Sequence, residues 1–251
     1  MAPAYDDRYL RQIPVVGREG QDRLSESTVV IAGIGGLGSP VALYLAAAGV
    51  GTMRIIDRDA VDATNLNRQV LHWERDVGRE KVVSAGEKLR SVNSSIGIEA
   101  LACAITADNA CELIAGADIV VDATDNFPVR YALNRAVCRH GIPLVHGAIR
   151  GFDGQVTTVV PGETACLRCI FPEPPPAEAT PVLGTTAGII GLMQANEVIK
   201  YLTGAGPLLA NRLVLWNGCR AALHELPVTR DGACPDCAGL PGDYLRETDS
   251  E

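Results

Sequence analysis

Gly33, Gly35, Gly36 and Gly38 stand in the pattern G-x-G-x-x-G, directly after a β-branched apolar run and directly before a second apolar stretch. Glycines let a backbone approach phosphates closely, and the start of a helix offers free N–H groups and the positive end of its dipole. Asp57 follows 19 residues after Gly38, where a carboxylate at the end of the next strand can accept ribose hydroxyls. These residues alone fit a nucleotide site, NAD included, or a tight turn with no ligand. Asn65, Arg68, Gln69, Lys81, Asp125 and Asn126 turn the reading away from NAD. A dinucleotide needs few cations, whereas a triphosphate attacked at its α-phosphorus needs fixed positive charge around developing oxyanions and a carboxylate to hold Mg2+. Arg68 and Lys81 can supply the charge and Asp125 the carboxylate. Taken singly, each is also what a solvated surface carries.

A second constellation is built from sulfur. Cys166 and Cys169 form one CxxC pair and Cys234 and Cys237 another, with 64 residues between the pairs. Two such pairs can close a tetrahedral Zn2+ site with no open position, so the expected role is structural, pinning the C-terminal segment to the proline-rich crossing loop. A redox pair of thioredoxin type needs only one CxxC. Cys103, Cys111, Cys138 and Cys219 are scattered and are expected to be small buried hydrophobes.

The elements that must position these residues are legible in outline. The run at 28–32 reads as a strand, 37–48 as an apolar helix, 53–56 as a strand ending at Asp57, and 119–121 as a strand ending at Asp122. A helix over about 129–138 and a strand over 142–145 follow. Strands alternating with helices imply right-handed crossovers and a mostly parallel sheet, an α/β fold of Rossmann type. The stretches 155–160 and 212–216 alternate as β-branched strands of a separate or antiparallel portion. Five prolines over 172–181 exclude a helix interior or central strand, so an extended crossing loop is expected there. The stretch 187–202 resumes as a helix, with Gly188 and Gly191 allowing close packing, and 246–251 reads as a frayed polar tail.

Composition narrows the functional class. With 251 residues the chain can form one large unit, and its net charge of −8 repels an extended phosphate backbone, which argues against nucleic acid. No apolar run reaches the ~18 residues of a membrane span, and the N-terminus lacks a signal-type run, so a cytoplasmic protein is expected.

The ordered set Arg8-Tyr9-Leu10-Arg11-Gln12, the glycine turn, Asp57-x-Asp59, Asn65-x-Asn67-Arg68-Gln69, Val77-Gly78-x-x-Lys81, Asp122-x-Thr124-Asp125-Asn126 and both CxxC pairs resembles the ThiF/MoeB/HesA family, relatives of the ubiquitin-activating enzymes. The resemblance covers nearly the whole chain. It implies one adenylation domain over 1–251, with an N-terminal arm over 1–27, a nucleotide-binding portion over 28–150, and a crossing-loop, carrier-binding and zinc portion over 151–251. It further implies Mg-ATP at Gly33, Gly35, Gly36 and Gly38, ribose at Asp57, phosphates at Arg68 and Lys81, and magnesium at Asp125. Asn65, Gln69 and Asn126 would orient the nucleotide, Arg130 would stand beside it, and zinc would sit on the four paired cysteines. Arg11 would reach across a homodimer into the partner's site.

The reaction so implied transfers AMP from ATP to the C-terminal glycine carboxylate of a ubiquitin-like sulfur-carrier protein, giving an acyl-adenylate and pyrophosphate ahead of thiocarboxylate formation. Relatives with a cysteine in the crossing loop can take the acyl group there. This chain has no cysteine from 170 to 218, so an external sulfur donor and a MoeB-like activator are expected, with Cys219 packed against the strand it follows. Activation of a peptide or other carboxylate, docking without catalysis, and an NAD-dependent oxidoreductase are the alternatives.

Overall fold

The computed structural model describes residues 5–175 and 181–240. Three short helices open the chain, α1 (Tyr5–Tyr9), α2 (Ile13–Val16) and α3 (Arg18–Glu26). The first nucleotide-type unit is β1 (Thr28–Ala32), α4 (Gly38–Ala48) and β2 (Thr52–Ile56), followed by α5 (Lys81–Val92), β3 (Gly97–Leu101), α6 (Ala110–Ile114) and β4 (Ile119–Asp122). Next come α7 (Phe127–His140), β5 (Leu144–Arg150), β6 (Asp153–Val159), α8 (Leu167–Ile170), α9 (Gly184–Thr203), β7 (Arg212–Asn217) and β8 (Ala222–Pro227).

All eight strands join one sheet in the order β3-β2-β1-β4-β5-β6-β7-β8. Pairing is parallel from β3 through β5 and antiparallel from β5 through β8. The central strands β1 and β4 are buried over most of their length, which is why they read as near-continuous apolar runs. One core cluster lies between the sheet and α4, α5 and α9, and a second lies beneath α6, α7 and α8 and includes the paired cysteines. Register brings the ends of the parallel strands level, with Ala32 opposite both Ile56 and Asp122, and Asp122 opposite His146. The loops after β1, β2 and β4 therefore open at one edge of the sheet, where open α/β sheets bind ligands.

Local chemistry sets the helix limits. The Asn126 side chain caps α7 by accepting from Val129 N at 3.1 Å, Pro128 sits in its first turn, and Gly141 ends it in the left-handed conformation. Gly49 ends α4 in the same way.

Several expectations change. The strand expected over 142–145 begins after Pro143 and runs on to Arg150, through polar His146 and Gly147. Of the two alternatives for 155–160 and 212–216, the antiparallel one holds: β6 and β7 extend the same sheet in antiparallel pairing. Gly191 does allow close approach, since a Cβ there would lie 2.7 Å from Leu37 O, but nothing comes within 4 Å of one at Gly188. Of the crossing loop, Pro172–Pro175 and Pro181 are exposed, residues 176–180 lie outside the described residues, and so does the tail over 246–251. Among the described residues, no helix is long and apolar enough to cross a membrane.

Candidate nucleotide and metal sites

The glycine turn divides into two kinds of position. Gly33 has φ +90°, and a Cβ there would lie 2.8 Å from the Ala123 carbonyl oxygen, while one at Gly38 would lie 2.0 Å from that of Gly33. Both glycines are demanded by backbone packing at the start of α4. Gly35 and Gly36 are not. Their nearest neighbours would be Gln69 Nε2 at 3.4 Å and Ala187 Cβ at 3.4 Å, ordinary contacts at the edge of an open cradle.

Ile34, between the two kinds, is held from both sides. Its N–H donates to Asp57 Oδ2 at 3.0 Å, and its carbonyl accepts from His72 Nε2 at 3.0 Å. The other Asp57 oxygen accepts from Asp59 N at 2.9 Å. Each carboxylate oxygen keeps a second lone pair, so Asp57 can brace the turn and still receive hydroxyls.

Arg68 and Gln69 flank this cradle, with Arg68 Cγ 3.5 Å from the Cβ position of Gly36. Arg68 donates to Thr64 O at 2.9 Å and to Asn67 Oδ1 at 3.0 Å. Gln69 is buried, and its Oε1 has no partner among the described residues, an acceptor open to a ligand hydroxyl. Asn65 turns inward on its own loop, where its Oδ1 accepts from Asp62 N at 3.2 Å. Lys81 is only 6% exposed, and its Nζ lies 3.1 Å from Asp59 Oδ2. Asp125 is exposed at the entry to α7, with Oδ1 accepting from Asn126 Nδ2 at 3.2 Å. Arg11 is exposed on the arm, and none of these contacts includes it. The arm itself is tied down beside it, since Gln12 donates to Ala48 O at 2.8 Å and Tyr9 OH accepts from Asn93 at 2.9 Å.

Close to Asp125 in sequence, Asp122 and Arg130 meet His146, which the sequence reading did not single out. Asp122 is fully buried, with Oδ2 accepting from His146 Nδ1 at 2.7 Å and Oδ1 accepting from the Thr124 hydroxyl at 2.6 Å. Arg130 Nε stands 3.7 Å from the same carboxylate, and its other end donates to Thr124 O at 2.8 Å. Burial pushes the Asp122 carboxyl up, but His146, Arg130 and Thr124 together hold it below the ordinary carboxylate range. Burial pushes His146 down and Asp122 only partly offsets it, so the ring is neutral and its Nε2 accepts from Gln155 at 3.1 Å. His72 and His146 were missed because a lone histidine on an apolar strand or loop carries no spacing signal.

At the other end of α7 the four paired cysteines meet. All four Sγ atoms lie within 4.8 Å of one another, with Cys166–Cys169 at 3.8 Å, Cys166–Cys234 at 3.6 Å and Cys169–Cys237 at 3.5 Å. Zn–S bonds of about 2.3 Å give tetrahedral S···S edges of about 3.8 Å, so the donor set fits zinc in chemistry and in size. Asn134 Nδ2 points at Cys166 Sγ from 3.5 Å, and the Asp231 N–H points at Cys169 Sγ from 3.4 Å, as donors to thiolates do. Of the other cysteines only Cys138 is buried as expected; Cys103 and Cys111 are half-buried. Cys219 is exposed, contrary to expectation, because it sits in the β7–β8 turn and not on the covered face of a strand.

The sequence profile of the ThiF family matches residues 9–236. The chain belongs to the ThiF family. Among curated relatives of this ThiF-family chain, the sulfur carrier protein adenylyltransferase of Thermus thermophilus is 44% identical over 94% of this chain and 92% of its own length. The SAMP-activating enzyme E1 of Haloferax volcanii is 44% identical over 97% and 93%. The adenylyltransferase and sulfurtransferase MOCS3 of Sus scrofa is 43% identical, and the chain spans about half of it, 52%. Among solved structures, E. coli MccB with ATP superposes with a TM-score of 0.80 at 27% identity, over 94% of this chain and 76% of that one. The same protein with MccA-N7isoASN gives 0.84 at 26%, over 94% and 75%.

Proposed function

We propose that this protein is an adenylyltransferase that activates the C-terminal glycine carboxylate of a ubiquitin-like sulfur-carrier protein with ATP. The observation that carries the reading is the open cradle at Gly35 and Gly36, flanked by Arg68 and Gln69. Relatives named for this activity match over nearly their full length.

A carboxylate oxygen of the carrier attacks the α-phosphorus, the bond to the bridging oxygen breaks, and pyrophosphate leaves with the electron pair. The attacking group is ionised at neutral pH, with a pKa of about 3.5, so no general base is required. The work of the protein is alignment and charge neutralisation. Backbone N–H groups of the turn and Asp57 hold phosphate and ribose, Arg68 and Lys81 neutralise the oxyanions, and Asn65, Gln69 and Asn126 orient the nucleotide. Lys81 must leave Asp59 to do so, an exchange of one anion for another. Mg2+ would spread the charge of the phosphates, and the exposed carboxylate of Asp125 would hold it. Arg130, braced against Asp122, stands behind it. The four paired cysteines hold a structural zinc.

The proposal includes a cytoplasmic homodimer in which Arg11 serves the neighbouring copy's site, and an external sulfur donor that attacks the acyl-adenylate. Exposure of Cys219 supports a second reading, in which that thiol accepts the acyl group first. ATP–pyrophosphate exchange with ubiquitin-fold proteins ending in Gly-Gly tests the main reading, and exchange must depend on both Mg2+ and the carrier. Tight NAD binding with no exchange refutes it. Intact-mass analysis separates the second reading by a thiol-sensitive adduct lost in Cys219→Ser.

A further inference from the structure

His72, Ser84, Lys88 and Asp76 form a buried polar chain beneath the glycine turn that no step of the proposed reaction uses. Lys88 Nζ, which has only hydrogens to offer, donates to Asp76 Oδ2 and, at 2.7 Å, to Ser84 Oγ. The Ser84 hydroxyl hydrogen can then go to the Asp76 carboxylate, which it also meets, or to His72 Nδ1, 3.0 Å away. His72 Nε2 faces the Ile34 carbonyl oxygen at 3.0 Å, and a carbonyl can only accept. In a neutral imidazole only a hydrogen on Nε2 serves the Ile34 carbonyl, and Nδ1 is then left to accept from Ser84. Burial and the ammonium groups of Lys88 and Lys81 oppose a second proton, against the pull of the Ile34 carbonyl and Asp57. The Ser39 hydroxyl reaches the same Ile34 oxygen only at 3.4 Å.

The Ile34 carbonyl and the Gly35 N–H belong to one peptide plane, and in a trans peptide they point in opposite directions. No cis peptide is present in the described chain. Fixing the carbonyl inward on His72 therefore aims the Gly35 N–H outward, into the open cradle. We infer that His72 is the positioning residue of the nucleotide turn, held in one tautomer by Ser84 so that the Gly35 N–H faces the phosphates. The inference rests on the reading of that turn as the ATP site.

Full-length wild type, His72→Gln, His72→Leu and Ser84→Ala are compared for ATP affinity by calorimetry, for KM of the carrier, and for melting temperature. Gln retains a side-chain N–H near the Nε2 position, so its ATP Kd should stay within about 3-fold of wild type. His72→Leu fills the space without a donor and should raise the ATP Kd by about 10-fold or more, with the carrier KM changed less than about 2-fold. Ring 15N shifts should place the wild-type hydrogen on Nε2 at neutral pH. A folded His72→Leu with wild-type ATP affinity overturns the inference, as does a hydrogen found on Nδ1. If His72→Leu does not fold, Ser84→Ala decides: an unchanged ATP Kd overturns it, and a Kd raised about 3-fold or more supports it. Wild-type protein that binds no ATP overturns the nucleotide reading itself, and this inference with it, whereas failure of the variants alone leaves that reading standing.

Discussion

Replacing Gly35 by alanine separates a nucleotide cradle from a turn that merely needs glycine. Gly35 does not have the positive φ of Gly33, and an added Cβ would meet only the far end of Gln69, at 3.4 Å from Nε2. The folded chain should therefore accept Gly35→Ala with no loss of stability, and reduced freedom of the unfolded chain should add about 0.4–1 kcal/mol. A phosphate drawn against the Gly35 N–H would meet the new methyl group and be displaced by about 1 Å, enough for about a 10²-fold loss in catalytic efficiency. Gly38→Ala is the contrasting case. Its Cβ would lie 2.0 Å from the Gly33 carbonyl oxygen, so the turn itself must move, and a stability loss of about 1–3 kcal/mol should accompany the loss of activity. Denaturant unfolding and ATP–pyrophosphate exchange on the two variants give four numbers. Gly35→Ala protein with full exchange activity would refute the cradle, and equal destabilisation of both variants would refute the division of the motif.

Three further outcomes are expected. Asp125→Ala should lose at least about 10²-fold in exchange rate with little change in melting temperature, because its side chain is exposed and, among the described residues, hydrogen-bonds with Asn126 alone; steady-state kinetics checks this. Chelation, or Cys234→Ser, should remove one zinc per chain by elemental analysis and unfold the region around α8, since structural zinc contributes on the order of 10 kcal/mol. Acid should weaken the fold in two stages, read as melting temperature against pH. His72 and His146 are held below the ordinary imidazole range, so the unfolded chain binds more protons as pH falls through about 6.5, and stability present above that pH is lost. Asp76 is pushed up by its burial, yet Lys88 and the Trp73 N–H hold it well below the ordinary carboxylate range; its contribution is lost only below about pH 4, with that of Asp122. A His146→Gln variant should flatten the first stage.

What could be read from the sequence was whatever one segment states by itself. A β-branched run, glycines and an apolar stretch dictate strand, turn and helix locally, and β1 and α4 lie within one residue of their expected bounds. The strands β3 and β8 went unread because each lies at a sheet edge with mostly exposed side chains, leaving no apolar run to mark it. Helix α5 was hidden because Lys81, Ser84, Gly86 and Lys88 interrupt its buried face. Arg68 and Gln69 announced themselves beside the glycine turn, but His72 and Ser84 act through contacts across 38 and 12 positions that only the tertiary fold creates. Gly188 and Gly191 are alike in sequence. Only one of them faces Pro40 and the end of the glycine turn.

Helix α7 joins the two sites as a strut. Asn126 and Arg130 stand at its nucleotide end, while Asn134, one turn further along, donates to Cys166 of the sulfur cluster and to Asp236 beside Cys237. Four helical residues span only about 6 Å, too short and too stiff to absorb a displacement. A shift of the thiolates would pass through Asn134 into the heading of the helix and so into the placement of Asp125 at its entrance. The sulfur cluster, though it takes no part in the proposed chemistry, would thereby serve as an alignment datum for the proposed nucleotide site. Substituting a slightly larger tetrahedral ion such as Cd2+ should then change the rate of adenylate formation without opening the fold.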